Sequence, residues 1–142
     1  KADFGEVEKA LDLILNLEPV TYVRNPRGRY EKSRDEMDEY ETKLWKEYGY
    51  RVYDKEEHAK QTKKGDRRQI GFKAQDVAET MKAIYGSDNY AGIVNVDYYG
   101  QDIPEEIENR YSVEYARLVP FLVKAIQEQQ KEIEALKAKI GE

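Results

Sequence analysis

Few side chains in this sequence are of a type that could carry out catalysis. Cysteine is absent, and His58 is the single histidine. Disulfide and thiol chemistry are therefore excluded, and neither a histidine-rich metal site nor a Ser-His-Asp triad is expected. Ser33 and Ser112 each precede a helical pattern, so we interpret them as helix caps rather than nucleophiles. His58 is expected to be exposed on the surface.

Two sets of charged residues are candidates for ion binding. The acidic set lacks the alternation of a calcium-binding loop, and the basic set has no glycine-rich phosphate loop beside it. We therefore predict no metal and no cofactor, and we interpret both sets as solvated surface. The acidic set is Asp97, Asp102, Glu105 and Glu106, and the basic set is Arg27-x-Arg29, Lys63-Lys64 and Arg67-Arg68.

The composition is that of a highly charged folded domain. Charged residues make up 37% of the 142 residues and hydrophobic residues 39%. The net charge of −5 does not favour a nucleic-acid partner, and no apolar run approaches the length of a membrane span. We predict one domain over residues 1–142, with a core so modest that a partner chain is expected to complete it.

The hydrophobic pattern predicts an α+β fold that is predominantly helical, with a small sheet of short strands. An apolar face from Phe4 to Leu15 predicts a first helix that Pro19 ends. A further helix is predicted from Gln75 onward. Short strands are predicted at 20–23, 69–72 and 93–98, and a helix start at Asp102-Ile103-Pro104-Glu105.

Residues 27–68 are predicted to form a projecting helical arm. Ser33 and Glu36 form a capping-box pattern ahead of apolar residues at helical spacing. Gly49 lies where a C-terminal cap is expected, and a second helix is predicted from Asp54. The segment has many tyrosines and few aliphatic residues, so we expect it to have too little apolar surface for a core.

The strongest pattern is a C-terminal helix over residues 112–142 that carries a coiled-coil seam. Apolar residues alternate at steps of four and three, which is the spacing of the a and d heptad positions. Glu132 and Lys137 then lie at g and the following e position, where a parallel coil forms interchain ion pairs. The a positions are Val119, Ile126, Ile133 and Ile140, and the d positions are Tyr115, Leu122, Gln129 and Leu136.

The seam leaves the number of chains open. Isoleucine at a with leucine at d favours two strands, whereas a polar core residue such as Gln129 commonly fixes register and chain number. A monomeric amphipathic helix that packs on its own domain is the alternative. Pro120 lies inside the pattern and predicts a kink or break near residues 116–120.

Three motifs in this order resemble the C-terminal intramolecular chaperone domain of phage tail-spike and tail-fibre proteins (peptidase family S74). Lys1 and Phe4 precede Leu17-Glu18-Pro19-Val20-Thr21-Tyr22 at the family's spacing, and Tyr111-Ser112 resembles the start of its final helix. The most specific match is Gly71-Phe72-Lys73-Ala74-Gln75-Asp76-Val77, which contains the motif residues Gly71, Phe72, Ala74, Gln75 and Asp76. Residues 27–68 are longer than the usual connection.

The resemblance implies a single self-cleavage by a serine–lysine dyad. Lys1 stands at the position of the family's lysine, and the serine lies about five residues upstream of it, outside this sequence. The chain would then be the released product that lacks the serine, and it would not be a conventional enzyme. A lysine acts as a base only when burial or nearby positive charge favours its neutral form.

The resemblance also implies a function and partners. The chain would be a homotrimer that brings a β-rich fibre, spike, or neck or tail appendage region of its own precursor into register in the host cytoplasm, and cleavage would then release it from the virion protein. The arm would hold this client through Tyr40, Trp45, Tyr48, Tyr50 and Tyr53. The alternative is a permanent coiled-coil trimerisation or adaptor module without cleavage.

Overall fold

The computed structural model describes residues 1–97, 104, 107 and 110–141, and it shows the predicted, predominantly helical α+β fold. Within these residues there are five α-helices and four short strands. The helices are α1 (Ala10–Asn16), α2 (Glu39–Tyr48), α3 (Lys55–Lys60), α4 (Ala74–Tyr85) and α5 (Val119–Ile140), and the strands are β1 (Val20–Val23), β2 (Arg68–Gly71), β3 (Val94–Asp97) and β4 (Arg110–Val113).

The described strands form two separate antiparallel pairs and not the single small sheet that was predicted. β1 pairs with β2, with Val20 opposite Gly71, and β3 pairs with β4, with Val94 opposite Val113. The helix start predicted at 102–105 lies outside the described residues, except for Pro104.

Contacts divide the chain into two compact units. Unit 1 comprises Lys1–Pro19, Phe72–Asp97 and Arg110–Glu142. Its core is built where α5 and α4 pack against α1. Leu13, Met81 and Ile93 are fully buried there, and burial of each side chain contributes about 1.5–3 kcal/mol. Tyr85 and Tyr90 stack beside this core, with ring centroids 4.2 Å apart.

Helix α1 is shorter than the pattern predicted. It begins at Ala10, and Phe4 is 86% exposed instead of lying on its buried face. Lys9 precedes the helix with a φ of 55°, and its side chain makes no capping hydrogen bond. Instead, the Leu11 amide donates to Glu128 Oε2 of α5 at 3.0 Å. A carboxylate near the first turn also complements the helix dipole, so α5 supplies the cap that α1 lacks.

Unit 2 comprises Val20–Gly71 and Tyr98–Asn109. The prediction that residues 27–68 have too little apolar surface for a core is wrong. Tyrosine rings supply most of the buried surface, because each ring covers a large apolar area. The buried cluster is Tyr30, Leu44, Tyr50, Val52, Tyr53 and Ile107.

Two capping boxes occur in unit 2, and the second one starts the helix. The Ser33–Glu36 box is present as predicted, but it opens a single 3₁₀ turn, Arg34–Glu36. Asp38 and Glu41 form the box that begins α2, and the Asp38 carboxylate accepts from the Glu41 amide at 2.7 Å. Gly49 caps the C-terminus of α2 with a φ of 66°, as predicted.

The C-terminal helix begins at Val119 and not at 112. Tyr111 and Ser112 lie in β4, where the ladder to β3 replaces the predicted helix start. A 3₁₀ helix, Tyr115–Leu118, follows and leads directly into α5. Pro120 therefore lies in the first turn of α5, where its missing N–H has no intrahelical partner to lose.

Candidate functional site

Helix α5 has two adjoining apolar faces, one buried and one exposed. One face contacts the core of unit 1 through Phe121 and Ala125, which are 5% and 3% exposed. The other face carries the a and d heptad positions. Helix α5 therefore packs on its own unit, as the monomeric alternative expects, but the a/d residues of α5 take no part in that core.

The exposed seam runs the length of α5. Ile126 is 65% exposed and Ile140 is 84% exposed, and all residues from 129 to 140 are exposed. Single exposed apolar residues are normal on a protein surface, but a continuous apolar face marks an interaction site. The exposed apolar side chains of the helix are Val119, Leu122, Val123, Ile126, Ile133, Leu136 and Ile140.

Two residues change the predicted seam. Tyr115 lies in the 3₁₀ helix before α5, and its ring stacks on Phe72 at 5.9 Å, so it is not the first d residue. Val123 was missed by the a/d pattern, although it follows Val119 by one turn. It is half exposed at the e position and widens the apolar face at the start of α5.

The flanks of the seam are charged or polar. Glu132 and Lys137 lie at g and e, and within the described part of the chain neither side chain forms an ion pair. Gln129 is exposed at a d position, with Ile126 before it and Ile133 after it on the same face. These are the groups that would meet a neighbouring helix.

The opposite side of α5 holds the segment that begins with Lys1. Lys124 Nζ lies 3.1 Å from Glu6 Oε2, and the two side chains form an ion pair. Glu128 accepts from the Leu11 amide. Neither α5 residue was identified from the sequence, because nothing in a heptad pattern predicts which outward carboxylate or ammonium meets a distant segment. Lys1 itself is exposed.

The predicted client-binding residues differ in accessibility. Tyr50 and Tyr53 are buried in the core of unit 2, and Tyr48 is half-buried beside it. The Arg34 guanidinium covers the Trp45 ring at 4.3 Å from its centroid. Only Tyr40, at 45% exposure, is exposed among the five.

Tyr40 borders a cavity of about 290 Å³ in unit 2. Its walls are largely apolar, and the Lys32–Glu41 ion pair, at 3.0 Å, lies at its edge. The hydrogen bond to Glu41 raises the pKa of Lys32 above its usual value of 10.5. The lining residues are Lys32, Tyr40, Glu41, Leu44, Tyr50, Val52, Tyr53, Asp54 and Lys55.

His58 is part of the packing of unit 2, contrary to the expectation of an exposed residue. Its Nε2 lies 2.9 Å from the Asn25 carbonyl oxygen, and the Asn25 side-chain amide donates to the His58 carbonyl at 3.0 Å. Its ring meets Tyr30 and Tyr53 edge to face. This pair of hydrogen bonds fastens α3 to the loop after β1.

The motif around Gly71 has a structural role in this fold. Gly71 is the buried end of β2, and the Phe72 amide donates to the Tyr115 hydroxyl at 3.1 Å. Ala74, Gln75 and Asp76 form the first turn of α4, where the Asp76 carboxylate is favourably placed for the helix dipole.

No protein-family model matches the chain, and neither a curated protein nor a solved structure is significantly similar to it. Among the described residues, no cluster of histidine and acidic side chains is arranged to hold a metal ion. None of the helices in the described ranges is long and apolar enough to cross a bilayer.

Proposed function

We propose that three copies of this chain join through α5 and act as an intramolecular chaperone for a β-rich fibre, spike or appendage region of the same precursor. The observation that carries the proposal is the apolar heptad face of α5, which takes no part in the core of its own unit and is exposed along its whole length. The occupant we infer for this face is the same face of further copies.

The pattern of charge and apolar surface supports copies of the chain as partners. In a parallel coil Glu132 of one helix lies beside Lys137 of the next, so identical chains are complementary there. Six a/d side chains, each about half exposed, can each gain about 1 kcal/mol on burial. Summed over three chains, this gain is about 18 kcal/mol, which is comparable with the cost of the two association steps, about 8–30 kcal/mol together.

The width of the face supports three chains over two. A two-stranded coil buries a narrow a/d stripe, whereas a helix in a bundle buries a wider face that includes e or g positions. Val123 at e adds to Val119, Leu122 and Ile126 in the first two turns. A third helix would cover Val123, which a single partner would leave at the edge.

Trimerisation would assist a β-rich client by a physical route. Pairing of strands between chains is slow and prone to aggregation, because distant segments must meet in one register. Joining the chains at one end raises the local concentration of the client segments to the millimolar range. The cavity beside Tyr40 is where we propose that an apolar side chain of the unfinished client binds.

The proposal includes release by a serine upstream of Lys1, with Lys1 as the base that accepts the serine proton. One observation favours the alternative of a permanent trimerisation module. Lys1 is exposed in the single chain, whereas a lysine base needs burial or a nearby positive charge. In the cleaving version of the proposal, assembly or the upstream region must supply that environment.

A precursor that carries its fibre region ahead of Lys1 tests both versions. Lys1→Ala is expected to give an assembled but uncut trimer, seen as full-length chain on a denaturing gel. Normal cleavage of this variant would show that Lys1 is not the base of the dyad. A wild-type precursor that stays uncut would favour the alternative of a permanent trimerisation module. Normal yields of native fibre with Ile133→Asp, which should prevent coil formation, would contradict the chaperone function itself.

A further inference from the structure

Gln129 is the one polar residue among the a/d positions of α5. It lies on the exposed face one turn from Ile126 and one turn from Ile133. In a parallel coil the isoleucine layers on both sides exclude water from the Gln129 layer. Leaving a buried amide without hydrogen-bond partners costs about 1–3 kcal/mol, so the partners of these amides must come from within the layer.

The hydrogen-bonding capacity of three glutamines can be counted. Each side chain has two N–H donors and one carbonyl oxygen. A ring in which every Nε2 donates to the Oε1 of the next chain uses one of the two donors and one of the two oxygen lone pairs of each glutamine. One N–H and one oxygen lone pair per chain remain, and the threefold symmetry lets the three N–H donors converge on the axis.

We propose that the α5 coil binds one monovalent anion, of the size of chloride or bromide, on its axis at the Gln129 layer. The inference rests on the proposed trimer, because the site is incomplete without the other two chains. In a two-stranded coil two glutamines can pair with each other, and their remaining donors face solvent.

The surroundings of Gln129 favour a single charge over a multivalent anion. The neighbouring e position is Gln130, whose amide donates to Glu134 at 3.3 Å, and the following g position is the anionic Glu132, so no cationic side chain adjoins the layer at either position. Three neutral donors can replace part of the hydration of a large, weakly hydrated anion. They cannot offset the desolvation of a divalent anion such as sulfate, because that cost rises steeply with charge.

Halide-dependent stability tests the proposal. The thermal unfolding midpoint is measured at fixed chain concentration and fixed ionic strength, in sodium bromide and in sodium fluoride, which is too strongly hydrated to enter the layer. Binding to the folded state raises the midpoint, so bromide should raise that of the wild type by several degrees relative to fluoride. The control Gln127→Leu, on the outward b position, should keep this difference, and Gln129→Leu should lose it. Gln129→Asn, which retains the amide, should keep part of it.

Crystals soaked in sodium bromide give an independent readout. We expect an anomalous peak on the threefold axis at the Gln129 layer of the wild type and none in Gln129→Leu. Equal bromide effects in the wild type and in Gln129→Leu, or a trimer without the peak, would overturn the anion site and leave the proposed function intact. A monomeric or dimeric mass of the wild-type chain would overturn both.

Discussion

Replacing Ile133 with aspartate is expected to dissociate the assembly. Ile133 is 44% exposed in the single chain, so a coil has a substantial part of its surface left to bury. The variant loses that burial in every chain and places three carboxylates in one layer, and each desolvated charge costs several kcal/mol. Even a lower bound of about 2 kcal/mol per chain, or about 6 kcal/mol per trimer, corresponds to a loss of about four powers of ten in the assembly constant.

The matched control is Gln127→Asp, which makes the same change in net charge on the outward side of the same helix. Sedimentation equilibrium over a dilution series measures the mass of both variants and of the wild type. The wild type and the control should have three times the 16.7 kDa mass of one chain at micromolar concentration. Ile133→Asp should be monomeric near neutral pH and should regain assembly in acid, as its carboxylates take up protons near or above pH ~4.

Two results would refute this reasoning. A monomeric wild type at tens of micromolar would show that the exposed face of α5 does not join copies of this chain. A trimeric Ile133→Asp, indistinguishable from Gln127→Asp, would show that assembly uses another surface. Circular dichroism of both variants must match the wild type in the folded units, since α5 also supplies Phe121 and Ala125 to the core of unit 1.

Three further predictions concern stability, measured by unfolding at fixed chain concentration. Leu13→Ala should lower the free energy of unfolding by about 2–5 kcal/mol, because it leaves a cavity at a fully buried position; a smaller loss would indicate that the site collapses. Glu128→Ala should lower the free energy of unfolding by about 0.5–2 kcal/mol, because it removes the cap of α1, whereas Gln127→Ala should leave it unchanged. Equal losses in the two variants would show that Glu128 does not stabilise α1 as a cap. Burial raises the pKa of Tyr85 from 10.0 to about 12. The folded state therefore holds this hydroxyl neutral, and its contribution to stability is present below pH 10 and is lost as the pH rises through about 12. Tyr85→Phe should lose less stability than the wild type over that range, and parallel pH profiles would refute this assignment.

Local signals in the sequence predicted many of the elements. Pro19 and the alternation after it located β1, and Gly49 located the end of α2. The two capping boxes show the limit of such signals. Ser33 and Asp38 both satisfy the box, but the first opens a 3₁₀ turn and the second opens α2, whose Leu44 packs in the core of unit 2.

The misassigned regions depend on partners far away in sequence. Tyr111 and Ser112 are read as a helix start until Val94–Asp97 is known to lie beside them. The tyrosines of residues 27–68 look like surface residues until they are seen to pack on one another and on Ile107. For the candidate site, the heptad spacing identified the face that the structure leaves exposed, whereas assembly into a coil and the number of its chains stay predictions.

The cap that Glu128 provides has a consequence for the order in which the chain folds during synthesis. Helix α1 leaves the ribosome before the rest of unit 1, and its capping carboxylate is 117 residues further along the chain. Unit 2 is nearly contiguous and lies between the first two segments of unit 1. Most contacts within unit 2 can therefore form before α5 has been synthesised, whereas the core of unit 1 cannot be completed until then. Residues 1–19 are thus made before the other segments of the two units, but the cap of α1 can form only after α5 has been made.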